Sequence, residues 1–211
     1  MELAILLYDG VTALDAIGPY EVLSRLPEAD VKFVATTPGV KFTGQGSCGI
    51  VAEHALSDVP HPDVLIIPGG PGERAIRNDA VAIDWIREAH AHAQWTVSVC
   101  TGALILGAAG ILEGVPATTH WLAREELRAM GADVVDERVC VEDNIITAAG
   151  VSAGIDMALT LAGLLEGELI AQGIQLSIEY DPQPPYPAGS PDTTTPVVVE
   201  LVRSNSRFPR S

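Results

Sequence analysis

Cys100 stands where the apolar run Trp95 to Val99 gives way to the small residues Thr101-Gly102-Ala103, followed by Leu104, Ile105 and Leu106. A strand that turns straight into a helix at a cysteine presents its side chain above the sheet, and small neighbours keep so sharp a turn free of clashes. That is the logic of a nucleophile elbow. At a helix amino terminus the unpaired N–H groups and the dipole favour thiolate over thiol. The sequence therefore predicts a pKa below the usual ~8.5 and an oxidation-prone sulfur. A second feature is Gly69-Gly70-Pro71-Gly72, after the run Val64 to Ile67 and Pro68. Glycines there let backbone amides approach a ligand as an oxyanion or anion pocket, or serve only a turn that needs positive φ. No Gly-Lys-Ser/Thr follows, so the loop is not a P-loop, and its spacing is not the dinucleotide fingerprint. The third feature is Asp15, beyond the first apolar run. Read alone it is equally a proton carrier or a cap for a helix beginning near Gly18, with Glu21 a weaker rival for the acid role.

The elements that must position these residues alternate. Short apolar runs, read as strands over Glu2 to Tyr8, Val31 to Ala35, Val64 to Ile67, Trp95 to Val99, Asp133 to Val135 and Ile145 to Thr147, are separated by stretches of helical period. This is the pattern of a parallel sheet covered by helices on both faces. Leu14, Ile17, Val22, Leu23 and Leu26 make one helix face, and Pro19 places the start of that helix near Gly18. Ala80 to His92 and Ala123 to Met130 are further helices, the latter stopped by Gly131. Val139 to Val141 and Asn144 to Ala148 form a hairpin turning at Glu142-Asp143-Asn144. Ser152 to Glu168 is the strongest helix, with Ser152 as its cap. In a doubly wound sheet the carboxyl ends of neighbouring strands share one crevice, so Asp15, Gly69-Gly70 and Cys100 are expected to converge. A nucleophile, a proton carrier and amide donors are what covalent addition to an electrophilic carbon needs.

The 211 residues fit one large domain, and at 47% hydrophobic they can build a substantial core. The formal charge of −16, from 12 Lys and Arg against 28 Asp and Glu, repels phosphate backbones and argues against a nucleic-acid partner. Nothing after residue 170 reads as a helix-turn-helix. Three cysteines are too few and too odd a set for a disulfide framework and fit a reduced compartment. Cys48 and Cys140 read as inert packing. The amino terminus has no basic region and no apolar run reaches 18 residues, so neither a signal peptide nor a membrane span is expected, and the cytoplasm is the expected location. His120 begins a helix and is expected to cap it or line a pocket rather than complete a triad. His54, His61, His90 and His92 read as surface positions. His90 and His92, two apart on a helix, face different ways, and no metal is expected. Tyr180 to Pro196 holds too much proline for helix or strand. It is expected to wrap a surface or a second subunit, a disordered tail being the alternative.

The loop Asp9-Gly-Val-Thr-Ala-Leu-Asp15-Ala-Ile-Gly-Pro-Tyr-Glu-Val-Leu23, the turn Ile-Ile-Pro-Gly-Gly-Pro-Gly72 and the elbow Ser-Val-Cys100-Thr-Gly-Ala resemble the PfpI-like superfamily, over residues 2 to about 175. Within it, Cys100-Thr101, Thr118-Thr-His-Trp121 and Glu179-Tyr-Asp-Pro-Gln-Pro-Pro185 are similar to the isonitrile hydratase (isocyanide hydratase) branch. The resemblance implies a class I glutamine amidotransferase-like fold: an α/β, single-domain, flavodoxin-like three-layer sandwich with a mostly parallel central sheet. It implies a domain over residues 1–180, with the Pro-rich segment 181–211 packed on it or on the partner of a homodimer. It also implies a lyase that adds water to an isonitrile, a small-molecule substrate, to give an N-substituted formamide. Cys100 would form a covalent thioimidate, with Asp15 as general acid/base and Thr101 assisting. Gly69, Gly70 and His120 would serve the oxyanion or substrate, and no cofactor would be needed. Peptidase-like members carry His directly after the cysteine. Thr101 stands there, so no Cys-His dyad is supported. Deglycase-type members use Glu where this chain has Asp15. AraC-like regulators share the fold but continue into a DNA-binding region. A glyoxalase or deglycase activity, or a non-enzymatic ligand or redox sensor, are the alternatives.

Overall fold

The computed structural model describes residues 1–208. In chain order its elements are β1 (Glu2–Leu6), α1 (Ala13–Leu23), β2 (Asp30–Ala35), β3 (Gly39–Phe42), β4 (Gly49–Ala52), β5 (His54–Ala55), β6 (Val64–Ile67), α2 (Glu73–Arg77), α3 (Ala80–His92), β7 (Trp95–Val99), α4 (Gly102–Ala108), β8 (Pro116–Ala117), α5 (Arg124–Ala129), β9 (Asp133–Val134), β10 (Val139–Glu142), β11 (Ile145–Ala148), α6 (Ala153–Glu166), α7 (Glu168–Ser177) and α8 (Pro196–Ser204). Seven strands form one sheet in the order β10-β11-β7-β6-β1-β2-β5, and every pairing except that of β10 with β11 is parallel. A parallel strand needs a crossover, and crossovers cover both faces. β6 is accordingly apolar at every position and wholly buried.

The chain leaves β1 to pair β2 on one side and returns through β6 on the other, so the direction of winding reverses at β1. A crevice opens at such a reversal, beyond the carboxyl ends of the strands. The register sets those ends side by side, Ile5 opposite Ile66 and Ile67 opposite Ser98. α1 packs on α6, α6 also touches β7 and β11, and α4 lies on β6 and β7 beside α2, α3 and α5. The result is the expected α/β sandwich with a mostly parallel sheet.

Several local expectations are corrected. α1 begins at Ala13, five residues before Gly18, and Pro19 lies inside it. The proline forfeits only the hydrogen bond to the Asp15 carbonyl near the helix start, a loss the buried residues Ala16, Val22 and Leu23 offset. Ser152 precedes α6 without capping it. Its hydroxyl instead lies 3.3 Å from the Arg138 guanidinium. β9 stays outside the main sheet and pairs with β8. The hairpin β3–β4 and the helices α7 and α8 carry mostly half-exposed or exposed side chains. The hairpin at Asp143 forms as expected, with Asp143 at φ 48°.

Residues 180–195 form neither helix nor strand, and Pro196 opens α8. The Tyr180 hydroxyl lies 3.2 Å from the Asp156 carboxylate. Arg207 donates to the Pro71 carbonyl at 3.1 Å and pairs with Glu73, a buried carboxylate that Arg77 also meets at 2.5 Å. Residues 209–211 of the expected C-terminal segment lie outside the described residues. Among the described residues no helix is long and apolar enough to cross a membrane.

Candidate active site

β7 feeds Cys100 into α4 through a turn with Cys100 at φ 57°, a left-handed conformation that costs a non-glycine residue ~1–3 kcal/mol. Its surroundings hold it there. The Cys100 amide is shared between the Ala148 and Ala149 carbonyls at 3.0 and 2.9 Å, and the Thr119 hydroxyl donates to the Cys100 carbonyl at 2.8 Å. Gly102 makes the turn possible, because a Cβ there would stand 2.0 Å from the Ile67 carbonyl oxygen. The elbow is thus a built feature of the fold.

Asp15 is fully buried in the first turn of α1. The Thr12 amide donates to the Gly69 carbonyl at 2.9 Å, and the Gly69 amide donates to Asp15 Oδ2 at 3.0 Å, so α1 and the loop after β6 hold each other. Asp15 Oδ1 is sealed without a well-formed hydrogen bond, and the Cys100 thiol is the side chain within reach of this carboxyl. Burial pushes the Asp15 pKa up to about 7, against smaller opposing contributions from the Gly69 amide and the thiol. The Gly70 amide donates to Thr101 Oγ1 at 2.9 Å, and the Tyr8 hydroxyl donates to the Pro68 carbonyl at 2.8 Å.

Two expectations change. The sulfur is not perched in solvent, since Cys100 is only 5% exposed. Its pKa is raised, first by burial and then by the Asp15 charge, and the Thr101 amide, the Val151 amide and the Thr101 hydroxyl only partly offset this. A helix amino terminus lowers a thiol's pKa where solvent shares the work. Here desolvation outweighs it. The Gly69 and Gly70 amides, in turn, are committed to Asp15 and Thr101 and are not free donors for a developing anion. The amides within reach of the sulfur are those of Thr101 and Val151. Val151 is absent from the sequence reading, because a backbone donor leaves no side-chain signature. The small run Ala148-Ala149-Gly150 at the end of β11 was the available signal.

His120 receives a hydrogen bond on Nδ1 from the Leu122 amide at 3.3 Å, capping the short turn that precedes α5. Burial and the nearby Arg124 lower its pKa, so it stays neutral at pH 7. Its other edge faces Gly150, where an added Cβ would come within 3.2 Å of the ring. Glu21 is exposed and pairs with Arg25 at 2.6 Å, outside the site. A cleft of about 420 Å³ is walled by Leu14, His120, Trp121, Gly150, Val151 and Pro191 among others. Cys100 does not line it. Its lining residues Leu14, next to Asp15 in the chain, and Val151, whose amide is within reach of the sulfur, are those that border the elbow.

The DJ-1/PfpI family model matches residues 1–164. The chain is similar to an isonitrile hydratase of Pseudomonas putida, 41% identical over 98% of this chain and 90% of that protein. It is also similar to a deglycase of Thermococcus kodakarensis, 27% identical over 70% of this chain and 89% of that one. Among solved structures, a THiJ/PfpI family protein from Pseudomonas syringae superposes with a TM-score of 0.94 at 36% identity, covering 98% of this chain and 86% of its own. With the elbow, the sheet order and these matches in agreement, the chain belongs to the DJ-1/PfpI family.

Proposed function

We propose that this chain is an isonitrile hydratase, a lyase that converts R–N≡C and water into the formamide R–NH–CHO. One observation carries the reading. A sealed Asp15 carboxyl, titrating at about 7, sits against the Cys100 thiol, so one group both takes and returns a proton near neutral pH. In this pair the resting sulfur is a thiol and Asp15 the base. The sulfur bonds the terminal carbon of the isonitrile while Asp15 takes the thiol proton and delivers it to that same carbon, leaving R–N=CH–S on Cys100. Water then adds across the C=N bond. Its oxygen joins the carbon, and one proton reaches the nitrogen through Asp15. Finally the C–S bond breaks as the hydroxyl proton returns through Asp15 to sulfur, releasing R–NH–CHO and the free thiol.

Thr101 and the Val151 amide steady the sulfur as its charge changes. Gly69 and Gly70 act by positioning Asp15 and Thr101, and His120 borders the space for the R group. No cofactor enters this scheme. The similarity to the Pseudomonas putida enzyme supports the same reading. We also propose a cytoplasmic homodimer, without nucleic-acid or membrane partners, in which residues 1–180 form the domain and 181–211 pack on it or on the second copy. A sizing column checks the assembly.

The deciding experiment offers several alkyl and aryl isonitriles, and methylglyoxal in parallel, to the wild type and to Cys100→Ala, with formamide detected by mass spectrometry. Formamide from the wild type alone is expected. Turnover of methylglyoxal without formamide would assign the chain to the glyoxalase or deglycase activities of its family. Binding without any product would make it a sensor.

A further inference from the structure

At the opposite end of the sheet from Cys100, three side chains converge that the reaction does not use. We propose that His61, Glu88 and His92 form a binding site for a borderline divalent transition metal, Zn²⁺ being the natural occupant. One potential ligand atom from each lies within 4.8 Å of the other two, and all three residues are exposed. His61 Nε2 is 3.3 Å from Glu88 Oε1, His92 Nδ1 is 3.6 Å from the same oxygen, and the imidazole rings meet tilted by 32° with centroids 4.0 Å apart.

The pairing that helix geometry forbids, His90 with His92, is not the one the fold makes. His90 turns inward to Thr96 Oγ1 at 2.9 Å. Glu88 and His92 stand four apart on α3 and share a face, and His61 is brought to them from the segment before β6. That segment is fixed on both sides of His61. The Trp85 indole N–H donates to the Val59 carbonyl at 3.0 Å, and the Gln94 and Trp95 amides meet the Asp63 carbonyl at 2.8 and 3.2 Å. Pro62, which is buried, restricts His61 to extended backbone. The third donor is therefore delivered by anchored chain rather than by a free loop.

Two imidazoles and one carboxylate are the His₂Glu set that tetrahedral zinc accepts, with a fourth position left for water. At metal–ligand distances of ~2.0–2.2 Å, donors sit roughly 3.3 Å apart, which the Glu88–His61 pair already matches. The widest pair must close by at most about 1.5 Å, a rotation that exposed side chains make freely. His92 Nδ1 is also 2.9 Å from the Glu88 carbonyl oxygen. With Nδ1 donating to that carbonyl, Nε2 holds the lone pair and is the atom that ligates once the exposed ring turns, so the 3.6 Å Nδ1 distance places the ring beside Glu88 and is not itself a ligand spacing. Imidazole donors select Zn²⁺, Ni²⁺, Cu²⁺ or Co²⁺ over Mg²⁺, so the preference separates this site from the general cation attraction of an acidic surface. β7 spans five residues, about 17 Å, between α3 and Cys100, so turnover there stays unchanged.

Titration calorimetry of tag-free protein with ZnCl₂, NiCl₂ and MgCl₂ tests the site, on the wild type, on H61A/H92A and on Glu88→Gln. The wild type is expected to bind one Zn²⁺, to gain about 5 °C in Tm at a hundredfold excess over Kd, and to ignore Mg²⁺. H61A/H92A should bind at least ~100-fold more weakly and Glu88→Gln about 10-fold more weakly. All three substitutions are at exposed positions, so circular dichroism should show both variants folded. CoCl₂ should give the visible bands of a nitrogen and oxygen site. Wild-type affinity in H61A/H92A, equal binding of Mg²⁺, no binding by the wild type, or a thiolate-to-cobalt charge-transfer band would each overturn the proposal.

Discussion

Two loops of this chain join a cysteine to glycines, and Gly46 in one serves a different purpose from Gly69, Gly70 and Gly102 around the other. Around Cys100 the glycines are wedged against backbone. A Cβ would stand 2.5 Å from the Thr101 amide at Gly69, 2.3 Å from the Gly10 carbonyl oxygen at Gly70 and 2.0 Å from the Ile67 carbonyl oxygen at Gly102. In the turn that carries Cys48, Gly46 has φ 71° and meets nothing within 4 Å. The first set allows close approach of three strand ends against backbone, whereas Gly46 allows a turn, and its neighbours Gly44 and Gly49 meet only the side chains of Pro71 and Val40 at under 3 Å. The cysteines follow suit. Cys48 is exposed, whereas Cys100 is sealed beside a carboxyl. A thiol becomes a candidate nucleophile here through enforced proximity to a proton carrier, and exposure has nothing to do with it.

The sharpest way to break this contrast is to remove each sulfur. Cys100→Ala should abolish isonitrile hydration, by more than ~10⁴-fold, while circular dichroism and Tm stay near wild type, because no other thiol can form the covalent adduct. Cys48→Ala should leave turnover within a factor of about two. Retained activity in the first variant would end the covalent mechanism.

Asp15→Asn comes next. Removing the proton carrier should lower kcat by ~10²–10⁴, the range of general acid–base catalysis. In the native enzyme the same group should give kcat an acid limb, falling tenfold per pH unit below about 7, since only the carboxylate can take the thiol proton. Stability should move the other way. The folded pKa lies above the unfolded one, so between about pH 4 and 7 the folded state holds the extra proton. Stability then declines as pH rises through that window and the penalty is complete above it. The rise to about 7 sets a ceiling of ~4 kcal/mol, and a gain of ~1–3 kcal/mol for Asp15→Asn at pH 8 in urea unfolding is the expected outcome. A variant that is destabilised at pH 8 would mark Asp15 as a structural cap instead.

The glycines sharpen the contrast through stability alone. Gly102→Ala forces a Cβ into a carbonyl oxygen and should cost upward of ~3 kcal/mol, with Gly69→Ala close behind. Gly46→Ala meets open space and bears only its left-handed φ, about 1 kcal/mol. Equal effects would mean that the elbow relaxes more readily than its packing implies.

Much of this arrangement was legible in the residues. The strand-to-helix junction at Cys100, the loop after Ile67 and Asp15 after the first strand were placed by periodicity and by the rule that strand ends share a crevice. α3 runs from Ala80 to His92 as its apolar face predicts. What escaped reading depended on tertiary context. Helix-terminus electrostatics favour a thiolate, but burial is a property of the whole fold, and it reverses the sign at Cys100. The Val151 amide carries no side-chain signature, and the Gly69 and Gly70 amides could be assigned to Asp15 and Thr101 only once three loops met. Pro19 misled because a local rule placed α1 late, while packing against α6 holds the helix from Ala13 onward.

The smallest expected effect separates the two cysteines most finely. Iodoacetamide reacts with thiolate and needs access. Cys100 is closed to solvent and its proton is held by burial and by the Asp15 charge, while Cys48 faces water. At pH 7 and limiting reagent, peptide mapping should therefore find carbamidomethyl on Cys48 well before Cys100, with turnover intact at the stage when only Cys48 is modified. Cys140 is buried, and two acidic neighbours, Glu137 and Glu142, add to burial in raising its pKa, so it should lag behind Cys48 as well. Labelling of Cys100 first, with proportionate loss of activity, would mean that the cleft beside Val151 opens onto the sulfur in solution. An isonitrile present during the reaction would then slow the labelling.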